Sequence, residues 1–138
     1  MIYEPRRGGR ELELACHARR DIALGILPSA VGIKEQVLGM AQPLSRTGLN
    51  VRIFDDHIRE AAARENRTYA TVLSHAMAHE IGHVLLRSNT HAAGWGLMSD
   101  VWTDHEYDRM GKEALFFTAG ESRTMRATLS GAACTSVE

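Results

Sequence analysis

The chain has 138 residues, 44% hydrophobic and 24% charged, with a formal charge of −1 and a pI near 6.7. That length supports one hydrophobic core and not two, so residues 1–138 read as a single domain. The near-neutral balance argues against nucleic acid or an anionic membrane as partner, since both call for a basic excess. Arg6, Arg7, Arg10, Arg19 and Arg20 cluster near the start, but Glu4, Glu11, Glu13 and Asp21 lie among them, as on a solvated mixed-charge surface. No apolar run approaches the ~20 residues of a membrane span. Met1 to Arg10 is charged and lacks the apolar stretch of a signal peptide, which leaves the cytoplasm as the default location. Cys16 and Cys134 form no Cys-x-x-Cys unit and read as two ordinary thiols, a single disulfide being the alternative. Asn66-Arg67-Thr68 is a glycosylation sequon by pattern only.

In chain order, Ile22 to Leu27 is a short apolar run closed by Pro28-Ser29, the pattern of a buried strand. Gly32, Gly39, Pro43 and Gly48 then punctuate a region of loops and short pieces. Leu49 to Phe54 alternates apolar and polar positions, a strand with one covered face, ended by Asp55-Asp56. From about Tyr69 to Arg87 the period becomes helical, with Val72, Leu73, Ala76, Met77, Ile81, Val84 and Leu85 at three- and four-residue spacing. Ser88 to Asp100 is a loop. Thr103 and Glu106 have the spacing of a capping box, which opens a helix to about Ala114. Thr118 and Glu121 repeat the device for a last helix to about Leu129. The expected class is α+β, with a short mixed sheet packed on a long active-site helix and a helical C-terminal half.

His79-Glu80-Ile81-Gly82-His83 falls inside that long helix. Residues i and i+4 lie one above the other on a helical face, so both imidazoles can reach one ion. Glu80 lies beside the metal, where it can take a proton from water. Zinc requires one more protein ligand and an open position. The competing reading is a helix carrying histidines by accident. Against it, the face with His79 and His83 is flanked by apolar residues, and buried imidazoles without partners are costly.

His91 lies eight residues past His83, after Asn89 and Thr90, where a chain leaving the helix near Ser88 can fold back to the ion. Met98 follows in Gly94-Trp95-Gly96-Leu97-Met98. This combination resembles the metzincin peptidases, in which a third His follows the helix and a turn methionine lies beneath the metal. Two positions depart from that pattern. Leu86 stands where metzincins carry Gly, and Asn89 where they carry the third His. The ligand loop is therefore expected to be two residues longer, with the helix ending later. In that form, His79-Glu-Ile-Gly-His-Val-Leu-Leu-Arg-Ser-Asn-Thr-His91, followed by Gly96-Leu97-Met98 and Trp102, is similar to a group of small bacterial zincin-like proteins. Those carry His-Glu-Leu/Ile-Gly-His-Leu-Leu-Leu-Gly-Ser-x-x-His and then Gly-Ile-Met. Ser74 to Ala78 and Leu115 to Thr118 also look like that group, and the likeness spans about Asp21 to Arg126. It implies a zincin-like fold, His91 as third ligand and Met98 as turn methionine. It also implies that relatives begin with an extra strand and helix that this chain lacks.

Other histidines and carboxylates have plainer explanations. His75 shares the face of His79 but lies ~12 Å along the helix from His83, which suits a packed His better than a ligand. Glu106 is the rival third ligand, though the capping box accounts for it. Asp104, His105 and Asp108 suit a solvated helix start. His17 and His57 lie in no motif, and Met77 and Met110 fit apolar faces. The expectation is therefore hydrolysis of a peptide or protein substrate, with one Zn2+ on His79, His83 and His91 and with Glu80 as general base. The alternative is a non-catalytic zinc-binding domain in which metal stapled a small fold.

Overall fold

The computed structural model describes residues 21–92 and 94–131. The arginine cluster through Arg20, His17, Cys16 and Cys134 lie outside the described residues. Three short strands form one mixed sheet: β1 (Leu24–Leu27), β2 (Gly39–Ala41) and β3 (Val51–Phe54). Their order is β1-β3-β2. β1 runs parallel to β3, from Leu24 opposite Val51 to Leu27 opposite Phe54. β2 runs antiparallel to β3, with Gly39 opposite Ile53 and Ala41 opposite Val51. Four helices follow, α1 (Asp55–Glu65), α2 (Tyr69–Leu86), α3 (Asp104–Lys112) and α4 (Ala119–Leu129). The α+β class and the short mixed sheet against a long helix agree with the sequence reading. No helix among the described residues is long and apolar enough to cross a membrane.

Two elements escape the sequence pattern. β2 is three residues long and starts on a glycine, too little for a period of two to register. α1 begins directly on the last residue of β3, where Asp55-Asp56 ends the strand and opens the helix in one step. Carboxylates suit a helix N-terminus, and the alanines at 61–63 favour continuation. Asp55 then accepts from the Tyr69 hydroxyl and pairs with Arg59 at 2.7 Å, which ties the start of α1 to the start of α2.

The core lies between the sheet and α2. Val51 and Ile53 of β3, Ile58 and Ala61 of α1, and Val72 and Ala76 of α2 are buried together with Tyr107, Met110 and Leu115. α2 is packed against β2, β3, α1 and α4. Apolar residues are therefore needed on more than one side of it.

Both interior helix ends close with the same device. Ser88 N–H returns to His83 O at 3.1 Å and Arg87 N–H to Val84 O at 3.2 Å, the paired bonds of a Schellman motif. Arg67 and Asn66 do the same at the end of α1. Asn66 therefore serves as a helix cap at φ 52°, and Thr68 caps α2 by accepting from Thr71 N–H. The sequon residues thus have structural work. Arg87 sits at φ 56°, where a side chain costs about 1–2 kcal/mol. Arg87→Gly should stabilise the chain by about 0.5–1 kcal/mol, once the greater freedom of glycine in the unfolded chain is deducted. Urea unfolding of the metal-free proteins measures this, and a lower midpoint for the variant would contradict it.

Candidate metal centre

His79, Glu80 and His83 lie on α2, and all three are buried. His79 Nδ1 lies 2.6 Å from Leu97 O, and His83 Nδ1 lies 2.8 Å from Ser88 O. A carbonyl oxygen only accepts, so each Nδ1 carries the proton and each Nε2 presents a lone pair. Those lone pairs converge, with the two Nε2 atoms 3.1 Å apart. His91 brings its own Nε2 to 3.2 Å from that of His83. Its Nδ1 lies 3.5 Å from Asp100 Oδ1. Two nitrogens bound tetrahedrally at about 2.0–2.1 Å from zinc stand about 3.3 Å apart. The observed spacing is within ~0.2 Å of that. His79, His83 and His91 thus form a group that could hold a metal ion, with a ligand atom from each within 4.8 Å of the others.

Protons do not relieve this crowding of lone pairs. Burial pushes His79 down from 6.5 to about 4, against the opposing effect of the Leu97 carbonyl. Burial also lowers His83. Near neutral pH the two rings are uncharged and face one another with lone pairs, which favours a cation between them.

The loops that aim the rings follow from local chemistry. The Schellman turn at Arg87 folds Ser88 O back onto His83. Ser88 Oγ accepts from Thr90 N–H at 3.1 Å and turns the chain so that His91 faces α2. Ala92 N–H donates to Met98 O at 3.0 Å, closing a loop in which Gly94 and Gly96 take φ of 86° and 142°. These are backbone shapes that side chains disfavour. The loop presents Leu97 O to both His79 and the Trp102 indole N–H. Met98 is buried beneath it, and a Cβ on Gly82 would stand only 2.8 Å from the Met98 sulfur. The methionine therefore lies against bare helix backbone between the two α2 histidines.

Glu106, the rival ligand, is engaged elsewhere. Its Oε2 accepts from Thr103 N–H and Oγ–H, each at 2.7 Å, and its Oε1 accepts from Gly96 N–H at 3.3 Å. Burial alone would raise its pKa, but the Thr103 and Gly96 hydrogen bonds together outweigh that and hold it below the usual value. It caps α3 and braces the Met98 loop. His75 donates from Nδ1 to Thr71 O at 2.7 Å and accepts Leu115 N–H at 3.0 Å on Nε2, leaving no free nitrogen. His57 is buried with Nδ1 on Val37 O at 2.6 Å. Asp104, His105 and Asp108 are exposed at the start of α3.

The histidines open onto a cleft of about 440 Å³, walled opposite α2 by β2 and the residues before it, with Asp100 and Trp102 at the side. β2 is an edge strand. Leu38 O accepts from Phe54 N–H at 3.0 Å and Gln42 N–H donates to Asn50 O at 2.7 Å, so by alternation the peptide groups of Gly39 and Ala41 point away from β3, and both residues line the cleft. No motif announces β2, and the carbonyls of Leu97 and Ser88 are backbone groups that leave no mark in a sequence. Comparison with known protein families, curated proteins and solved structures finds no match.

Glu80 lies under β2, with Oε1 3.9 Å from His79 Nε2. Burial raises its carboxyl from 4.5 to about 7. Between those values the folded, metal-free chain holds a proton that the unfolded chain has released, so this residue's effect on stability worsens as pH rises through that window. Glu80→Gln should leave metal-free stability nearly unchanged at pH 4. At pH 8 it should raise stability by up to about 3 kcal/mol relative to wild type. Urea unfolding with chelator at both pH values tests this. A difference between the two proteins that does not grow with pH would show that Glu80 is not raised.

Proposed function

We propose that the chain is a zinc-dependent peptidase with a zincin-like centre, in which His79, His83 and His91 hold the metal and Glu80 is the general base. The observation that carries this reading is the convergence of three imidazole Nε2 atoms, two of them on rings already anchored through Nδ1 to backbone carbonyls, beside a buried carboxylate and an open cleft. Three imidazole ligands suit zinc among the available divalent ions. When bound, zinc supplies Lewis-acid activation of water and of the scissile carbonyl. Glu80 takes the proton of the attacking water and passes it to the departing amine. Its position next to His79 keeps the carboxyl within reach of the metal without occupying a ligand position. The outward peptide groups of Gly39 and Ala41, without a partner among the described residues, offer an extended substrate the hydrogen bonds of an added strand, which supports a peptide over a small molecule. Met98 takes the part of the turn methionine, packed under the ligands.

Metal content by mass spectrometry, together with hydrolysis of a peptide library, tests the proposal. Wild type should carry one zinc per chain, and His91→Ala should bind it at least about 10-fold more weakly. Glu80→Gln should keep the zinc and lose about 10²–10⁴-fold in kcat. Wild type without stoichiometric metal would sink the reading. Full zinc with no cleavage of any peptide, and unfolding on chelation, would instead support a non-catalytic domain stapled by metal.

A further inference from the structure

Gly39 occupies the middle of the contact between the edge strand and the carboxylate beside the metal cluster. A Cβ built on it would stand 2.8 Å from Arg52 O, 3.0 Å from Glu80 Cγ and 3.0 Å from Ile53 Cδ1. Real Cβ atoms essentially never come within 3.0 Å of another atom, as the Arg52 O contact would require, and the contacts at 3.0 Å would force Glu80 Cγ and Ile53 Cδ1 to give by a few tenths of an ångström. Backbone shape does not demand this glycine, since Gly39 is not among the residues at positive φ. What it provides is space. Gly25 in the neighbouring β1 makes a useful contrast. A Cβ there meets the end of the Leu49 side chain at 2.7 Å, which can swing aside.

We infer that Gly39 is a positioning residue, whose missing side chain lets β2 lie directly on Glu80 and fixes where that carboxyl stands relative to His79. This deepens the peptidase reading and rests on it for its catalytic consequence. A side chain at position 39 either lifts β2 from α2 or pushes the Glu80 stem sideways. Either movement changes the 3.9 Å separation between Glu80 and His79 Nε2. The three histidines lie on α2 and the loop after it, and none lies on β2, so the metal cluster survives the change.

The experiment uses the full chain with zinc and compares Gly39→Ala with Gly25→Ala. Gly39→Ala should keep one zinc per chain, with affinity within about threefold of wild type. Its kcat on a cleaved peptide should fall about 10–100-fold, the range expected when a reacting group is misplaced by about 1 Å. The change in KM should be smaller. Gly25→Ala should keep wild-type kcat. A wild-type kcat in Gly39→Ala overturns the inference.

A second measurement needs no activity. The drop in urea midpoint caused by Gly39→Ala should shrink by at least half in a Glu80→Ala background, where the opposing Cγ is gone. An equal drop in both backgrounds would place the clash on Arg52 O and overturn the inference. Should Gly39→Ala alone fail to fold, a double variant that folds with Glu80→Ala but not with Glu80→Gln, which keeps the Cγ, supports the contact, and one that folds with both or with neither refutes it. If wild type cleaves no peptide, the peptidase reading fails while this coupling still decides whether Gly39 sets the place of Glu80.

Discussion

The site depends on where two protons sit. The Nδ1 hydrogens of His79 and His83 are directed outward to Leu97 O and Ser88 O, and this forces their Nε2 lone pairs inward to 3.1 Å of one another. Without a cation this is an unfavourable arrangement, because two buried acceptors face each other without a donor. Hydrogen bonds from the outer nitrogens to carbonyls both fix the tautomer and raise the basicity of the inner nitrogens. A fold that holds its imidazoles in this state is organised before an ion arrives. An ion bound there would contribute directly to the stability of everything that supplies those carbonyls.

Those supports come from separate parts of the chain and are linked to one another. Ser88 O is delivered by the helix-closing turn of α2. Leu97 O is delivered by the Met98 loop, which Glu106 holds from the first turn of α3. Tyr107, the next residue, is buried in the same core as Val51 and Ile53. A disturbance in the α3 cap thus reaches His79 through Gly96 and Leu97, although no residue of α3 is in the metal cluster. Glu80 is governed from the opposite wall. β2 buries it and raises its carboxyl to about 7, whereas a nearby divalent charge acts in the other direction. In the proposed peptidase, the opposition of these two effects would keep the Glu80 carboxylate basic enough to accept a proton at neutral pH.

The parts of this arrangement that were legible in the sequence are the ones written in side chains at fixed spacing. The four-residue step from His79 to His83, the long helical period around them, and the two capping boxes at Thr103 and Thr118 all specify local geometry and reappear in the fold. The juxtaposition of His91 with them was legible only as an expectation of a returning loop, strengthened by the likeness to zincin-like proteins. What stayed hidden is carried by backbone or by absence. β2 is three residues of Gly, Met and Ala, with no period to detect. α1 was masked because Asp55-Asp56 reads equally as a strand terminator and as a helix start. The anchoring carbonyls belong to Leu97 and Ser88, whose side chains say nothing of that role. Gly39 matters through the side chain it lacks.

His91 joins the histidine cluster, whereas Glu106, the rival in the sequence, is engaged elsewhere. Both follow the helix, and both are residue types that bind zinc. Glu106 has its Oε2 on two Thr103 donors at 2.7 Å and its Oε1 on Gly96, bonds that a carboxylate makes with charge-assisted strength. Moving it to a metal would uncap α3 and release the loop that positions His79, so gaining one ligand would weaken another. His91 has no such engagement on Nε2, and its approach to His83 leaves the α2 cap and the Met98 loop in place. The capping box therefore bears on the histidine cluster indirectly: by keeping Glu106 occupied, it holds the loop in the shape in which the Nε2 atoms of His79, His83 and His91 converge.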